Sequence, residues 1–210
     1  AKKQYGADVP YFLFGHSMGS FMARRDLMTY ASELTGAIIC GTGYTPGAVL
    51  TAGKFCAGLI GKLKGERHRS KFLQKLAFCS YNKRIADKRT ENDWLTKDTK
   101  IVDAYNRDKY CTFLFTVNGY QTLFDVLGFI QKKENIEKIP KNLPVYMIAG
   151  VEDPVGNYGK GVEKVFQEYK ACGIRDLEQK LYETDRHEIL NELDRENVYQ
   201  DVKNWILKHI

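Results

Sequence analysis

The residue types able to carry nucleophilic chemistry converge on one short run, Gly15-His16-Ser17-Met18-Gly19. It has the G-x-S-x-G form, in which small residues flanking a serine let a strand turn sharply into a helix and lift the hydroxyl clear of the backbone. In that geometry the Met18 N–H, at the start of the helix, faces the place where an oxyanion would form. Five residues also match by chance, and a serine at such a turn can simply cap the helix. A serine hydroxyl needs a base, and the base needs a group to orient it. Of the four histidines, His16 lies inside the turn, His68 in a basic stretch and His209 beside the C-terminus. His187 falls between an apolar run and the last helical segment, where a loop would hang over the carboxyl edge of a sheet. It is the candidate base, with a solvated loop histidine as the alternative reading. Asp153 follows another apolar run, in Gly150-Val151-Glu152-Asp153-Pro154, where Pro154 stiffens the turn, and it is the candidate acid. Glu152 and Asp185 compete with it, and both read as solvent-facing loop residues. The chain order Ser17, Asp153, His187 is a known order of such triads. The chemistry implied is acyl transfer through a covalent intermediate. His187 takes the Ser17 proton during attack on an acyl carbonyl and returns it to the leaving group. No metal or organic cofactor is needed.

Positioning these residues requires strands that end where they begin. Tyr11–Phe14 is an apolar, aromatic run behind Pro10 and reads as a buried strand entering the Ser17 turn. Phe21, Met22, Arg25 and Met28 then fall at helical spacing, predicting a helix that ends near Leu34 before Gly36. Gly36–Cys40, Val145–Ala149 and Leu177–Tyr182 read as three more strands. Val162, Val165, Phe166 and Tyr169 mark a helix closed by Gly173, and Val198, Val202, Trp205 and Ile206 mark the last. Strands alternating with helices predict an α/β fold with a mostly parallel sheet covered on both faces.

Between about residues 43 and 143 no strand is legible. Val49, Phe55, Cys56, Leu59, Ile60 and Leu63 predict an amphipathic helix, and further helical pieces run through 73–78 and 120–130. A stretch this long is better read as a helical insertion than as a loop. The organisation expected is therefore residues 1–42 carrying the serine turn, 43–143 as a helical cap, and 144–210 carrying acid and base. The apolar stripe of the first cap helix reads either as an acyl-binding wall or as the face that packs the cap onto the sheet.

With 43% apolar and 28% charged residues in 210, the chain can bury a core and is not globally disordered. No apolar run approaches the ~18 residues of a membrane span. Five cysteines without a Cys-x-x-Cys pair argue against a disulfide framework or zinc ribbon, fit a reducing cytoplasmic setting, and read as buried thiols. The net charge is +6, yet residues 51–100 alone hold thirteen Lys/Arg against five Asp/Glu. The basic excess is local, so a general nucleic-acid surface is not required. Lys62, Lys64, Arg67, Arg69, Lys71 and Lys75 form either a solvated face or one drawn to anionic lipid surfaces.

Taken together, GHSMGSFMARR (15–25), LPVYMIAGVEDPVG (143–156) and RHEILNE (186–192) resemble the α/β-hydrolase family of monoacylglycerol lipases and lysophospholipases, also filed as serine aminopeptidase-like hydrolases. The resemblance implies the C-terminal part of an α/β-hydrolase fold, with the insertion as the family's cap. It implies Ser17 as nucleophile, Asp153 as acid, His187 as base and the Met18 N–H as one oxyanion donor. The implied activity is hydrolysis of lipid-like carboxylic esters, of the monoacylglycerol or lysophospholipid type. A peptidase releasing N-terminal residues and a non-catalytic interaction module are the alternatives. Several strands precede the serine turn in this fold, and a loop among them supplies the second oxyanion N–H. Only ten residues precede the serine strand here, so a further N-terminal segment or companion chain is expected.

Overall fold

The computed structural model describes residues 2–6 and 8–210 of the chain. After a short helix α1 (Lys2–Tyr5), four strands form one sheet in the spatial order β1 (Phe12–His16), β2 (Gly36–Cys40), β3 (Val145–Gly150), β4 (Leu177–Tyr182), every pair parallel. β2 and β3 are buried at every position, as their unbroken apolar sequences require of strands covered on both faces. Successive side chains alternate between the two faces. Ala37, Ile39, Val145, Met147 and Ala149 join a core with Phe21, Leu27, Val162, Val165 and Tyr169. Ile38, Cys40, Tyr146 and Ile148 meet Val198 and Trp205 on the other face. The helices responsible are α2 (Met18–Leu27) and α8 (Lys160–Ala171) on one side and α9 (Arg195–Lys208) on the other.

The strand carrying the serine turn lies at an edge of the sheet, hydrogen-bonded on one side, with Tyr11 and Phe14 about 40% exposed. The first helix is shorter than the spacing predicts. It stops at Leu27, where the N–H groups of Thr29 and Tyr30 both turn back to the Asp26 carbonyl, and a 3-10 turn at Ala31–Glu33 leads into β2. The chain has to return to the amino edge of the sheet by Gly36, and ten helical residues, rising about 15 Å, already match the roughly 16 Å of a five-residue strand, so a helix running to Leu34 would overshoot.

Between β2 and β3 lie α3 (Gly47–Lys64), α4 (Lys71–Phe78), α5 (Thr99–Arg107), α6 (Val117–Ile130) and α7 (Lys133–Ile136). α5 has no counterpart in the sequence reading. The lower half of α6, with Val126, Leu127 and Ile130, packs into the main core. Ala57, Leu73, Val117 and Tyr120 form a separate small core.

α3 overturns an expectation. Of the predicted stripe, Val49, Phe55, Leu59 and Leu63 are 50–75% exposed, while Cys56 and Ile60 are half-buried against the small core of the insertion. The buried residues of α3 are Leu50, which joins the main core, and the small Gly53 and Ala57. A Cβ on Gly53 would stand 2.9 Å from the Phe124 ring and one on Gly61 3.3 Å from Val117, so α3 lies closely against α6. Hydrophobicity alone points to the wrong face when the contact is built from glycine and alanine.

The cysteines also depart from expectation. All five are free, but only Cys40 is buried; Cys79 is exposed and Cys56, Cys111 and Cys172 are half-buried. Three of these four lie between β2 and β3, where helices are covered on one side only. Among the described residues no helix is long and apolar enough to cross a membrane.

Candidate active site

The turn after β1 holds Ser17 at φ 55°, ψ −123°, a conformation that non-glycine residues avoid. Its N–H donates to the Cys40 carbonyl (3.0 Å), carrying the β1–β2 ladder into the turn, while its own carbonyl accepts from the Ser20 N–H and Oγ. Backbone strain at a serine on a strand-to-helix turn marks a held hydroxyl rather than a casual cap. No side-chain cap bond is made by Ser17. The two glycines are not equivalent. A Cβ on Gly15 would lie 2.5 Å from the Gly19 carbonyl oxygen and 2.7 Å from Ala23, whereas one on Gly19 meets nothing within 4 Å. Met18 opens α2, where first-turn N–H groups have no partner within the helix.

His187 sits in the loop after β4, and Asp153 in the turn after β3. They meet: His187 Nδ1–H donates to Asp153 Oδ2 at 2.9 Å, with both residues almost fully buried. The other carboxylate oxygen, Oδ1, accepts the Val155 N–H at 2.8 Å, and the Asp153 carbonyl accepts from Tyr158. Each acceptor position of the carboxylate thus has a donor, as a buried charge requires. The bond at Nδ1 leaves His187 Nε2 with its lone pair, the tautomer a general base needs. Gly150 makes the meeting possible. A Cβ there would stand 2.1 Å from the Asp185 carbonyl oxygen and 2.3 Å from that of Arg186, so only glycine lets the histidine loop cross the end of β3.

The competing carboxylates separate by environment. Glu152 is exposed and pairs with Lys97 at 2.8 Å. Asp185 is not solvent-facing, contrary to the sequence reading; it is 2% exposed because the loop folds its side chain inward beside Asp194 and Glu192. Burial and those neighbouring carboxylates push its carboxyl up to about 7. It does not contact His187.

A second feature escaped the sequence. The segment Asp93–Lys97 of the insertion clamps the histidine loop. Trp94 and Leu95 carbonyls accept the N–H groups of His187 and Glu188, and Arg186 Nη1 donates to the Asp93 carbonyl at 2.7 Å. Glu192, also buried, accepts the N–H groups of Arg186 and Lys97. The Trp94 ring lies 5.0 Å from the His187 ring. A lone tryptophan amid polar residues was the available signal.

Of the other histidines, His16 touches His187. His209 lies at the amino edge of the sheet with Asp176 and Glu178, the one group among the described residues with metal-ligand spacing. Glu178 there is already paired with Lys208.

A family profile described as serine aminopeptidase, S33, matches residues 1–194. No curated protein matches the chain. Among solved structures, a highly thermostable carboxyl esterase from Bacillus coagulans, crystallised with glycerol, is similar at 30% identity and TM-score 0.90, covering 99% of this chain and 67% of its own. A lipase in an open form is similar at 26% identity and TM-score 0.83, covering 96% and 66%. A monoglyceride lipase from Saccharomyces cerevisiae, bound to a substrate analogue, shares the fold at 23% identity and TM-score 0.74, covering 99% and 64%. The chain thus spans about two thirds of the length of each.

Proposed function

We propose, for a chain that belongs to the serine aminopeptidase S33 family of α/β-hydrolases, that it carries the catalytic residues of a serine hydrolase acting on lipid-like carboxylic esters. Ser17 is the nucleophile, His187 the base that takes its proton and later protonates the leaving alcohol, and Asp153 the group that holds the imidazole and stabilises its charged form. The Met18 N–H is one oxyanion donor. The observation that carries this reading is the buried 2.9 Å bond from His187 to Asp153, on two loops at the same sheet edge as the strained Ser17 turn. A histidine bonded through Nδ1 to a buried carboxylate, on a loop at the same carboxyl end of the sheet as such a serine turn, supports acyl transfer through an acyl-enzyme.

The substrate class rests on separate support. Neighbours of this fold are named as a carboxyl esterase, a lipase and a monoglyceride lipase. The exposed apolar stripe of α3 is flanked by Lys62 and Lys64, and the exposed Phe72 and Leu76 of α4 by Lys71 and Lys75. Apolar side chains framed by cations suit an anionic lipid surface, where each Lys or Arg contributes about 1 kcal/mol. Monoacylglycerols and lysophospholipids both present an ester at such a surface. The five free cysteines fit a cytoplasmic setting. The family's own description favours a second reading, release of N-terminal residues from peptides, but an amine-binding site calls for a carboxylate and the insertion is rich in cations.

A fluorophosphonate probe tests the chemistry, since it reacts only with an activated serine. Labelling of the chain that disappears in Ser17→Ala, with unchanged circular dichroism, is the expected result; labelling that persists in that variant overturns the assignment. The lipid surface is tested with vesicles containing phosphatidylserine. Neutralising Lys62, Lys64, Arg67 and Arg69 to Gln should weaken co-sedimentation at low salt while leaving hydrolysis of a small neutral ester unaltered. Equal loss in both assays would assign these residues to the fold instead.

A further inference from the structure

His16 stands between the first glycine and the serine of the turn, has no role in the acyl transfer set out above, and yet is in direct contact with the proposed base. Its Nε2 lies 3.1 Å from the His187 carbonyl oxygen. A carbonyl can only accept, so His16 Nε2 carries a proton and donates. The two imidazole rings lie 4.7 Å apart at a tilt of 42°. Trp94 flanks the His187 ring at 5.0 Å, and its carbonyl accepts the His187 N–H at 3.4 Å. The base is therefore held by its carbonyl from the serine turn, by its N–H from the insertion, and by its Nδ1 from Asp153. Gly41, at φ 59°, makes room: a Cβ there would come within 3.2 Å of both His16 Nε2 and His187 Cε1.

We infer that His16 is a positioning residue for His187, an imidazole that pins the backbone of the base to the same turn that holds the nucleophile. The inference rests on the triad reading given above. It ties the serine and the base mechanically, since any shift of the Ser17 turn carries the His187 carbonyl with it. Neutrality is part of the role, because a charged His16 would oppose formation of the His187 imidazolium. The groups facing His16 are His187 and Glu188 from the histidine loop, Asp153 from the turn after β3, and the region of Cys40–Gly41 after β2. Burial pushes the His16 imidazole below its ordinary range, the charge of His187 adds to this, and the His187 carbonyl, Glu188 and Asp153 oppose it with smaller effect.

The deciding measurement is long-range proton–nitrogen correlation NMR on the nitrogen-15-labelled chain, which reads tautomer and titration of each histidine without needing turnover. His16 is expected as the Nε2–H tautomer, and its titration midpoint should move to higher pH in His187→Gln, where the neighbouring charge is gone. A His16 proton on Nδ1, or a midpoint indifferent to His187→Gln, overturns the inference. Probe labelling supplies the functional arm. His16→Gln keeps a donor at the Nε2 position and should label within about threefold of wild type. His16→Phe keeps a ring but no donor and should label roughly 10–100-fold more slowly, the range for a lost buried hydrogen bond. Equal rates in the two variants would remove the positioning role. Labelling that persists in Ser17→Ala would end the triad reading, while the NMR result would still stand for the contact between the two histidines.

Discussion

At the scale of single residues, two buried aspartates a few ångströms from the same loop have opposite fates. Asp153 has a donor for each carboxylate oxygen, one of them His187. Asp185 has one oxygen without any partner and lies beside Asp194 and Glu192. Asp153→Asn should therefore lower turnover by up to ~10⁴, the loss seen when a triad acid can no longer set the tautomer. Asp185→Asn should leave turnover within a few-fold. Parallel steady-state kinetics on the two variants check this, and a crippled Asp185→Asn with a healthy Asp153→Asn would reverse the assignment of the acid. Asp185 has a second consequence. Its carboxyl is raised from 3.8 to about 7, so the folded protein keeps a proton that the unfolded chain releases. Stability contributed by this group is full below the unfolded value and falls as pH climbs from about 4 to about 7. Asp185→Asn should flatten that slope and be more stable than wild type at pH 8, by about 1–3 kcal/mol. Urea unfolding at pH 5 and pH 8 measures it directly.

At the scale of elements, glycines record which pieces must pass close to one another. Gly150 lies under the Asp185 and Arg186 carbonyls, and neither is a flexible side chain that can move aside. Gly150→Ala should push the histidine loop off β3, break the His187–Asp153 bond and cut probe labelling at least 100-fold, while the central strands keep their far-ultraviolet signature. Labelling near the wild-type rate in a folded Gly150→Ala would show that the loop needs no such passage. Gly19 makes the opposite case. It lies in α2 with open space around its missing Cβ, so Gly19→Ala should stabilise this chain by up to ~1 kcal/mol through helix propensity. A drop in melting temperature would mean that something packs against that face of α2. The insertion, finally, reaches the histidine loop, since the Trp94 carbonyl and ring both bear on His187.

At the scale of the whole molecule, the edge position of β1 dominates. Its outer backbone groups lack a strand neighbour, and Tyr11, Phe14, Met18 and Met22 are each 37–42% exposed beside it. β4, at the other edge, is guarded by Lys180, which pairs with Asp201. An unguarded apolar edge invites pairing with another chain. Residues 1–210 by themselves should therefore self-associate, and Phe14→Lys, placing a charge on the edge, should shift the population toward monomer in analytical ultracentrifugation. A monodisperse wild-type monomer at tens of micromolar would rule this out.

The sequence by itself determined the four strands and their parallel arrangement and singled out Ser17, Asp153 and His187 as candidates, because each rests on local pattern. Period-two and continuous apolar runs mark β2 and β3, the glycine-flanked serine marks the turn, and acid and base each follow a strand. Tertiary structure decided what depends on proximity between distant segments. Nothing local tells that Asp185 folds inward while Asp153 reaches the base, because burial is set by the loop crossing over Gly150. Nothing local tells that α3 turns its glycine and alanine face to α6 and leaves Phe55 in solvent, because close packing of two helices rewards small side chains over apolar ones. The clamp from Trp94 and the bond from His16 both end on backbone atoms of His187, across 93 and 171 residues of sequence. Side-chain pattern carries no record of them, since a carbonyl acceptor is present at every position.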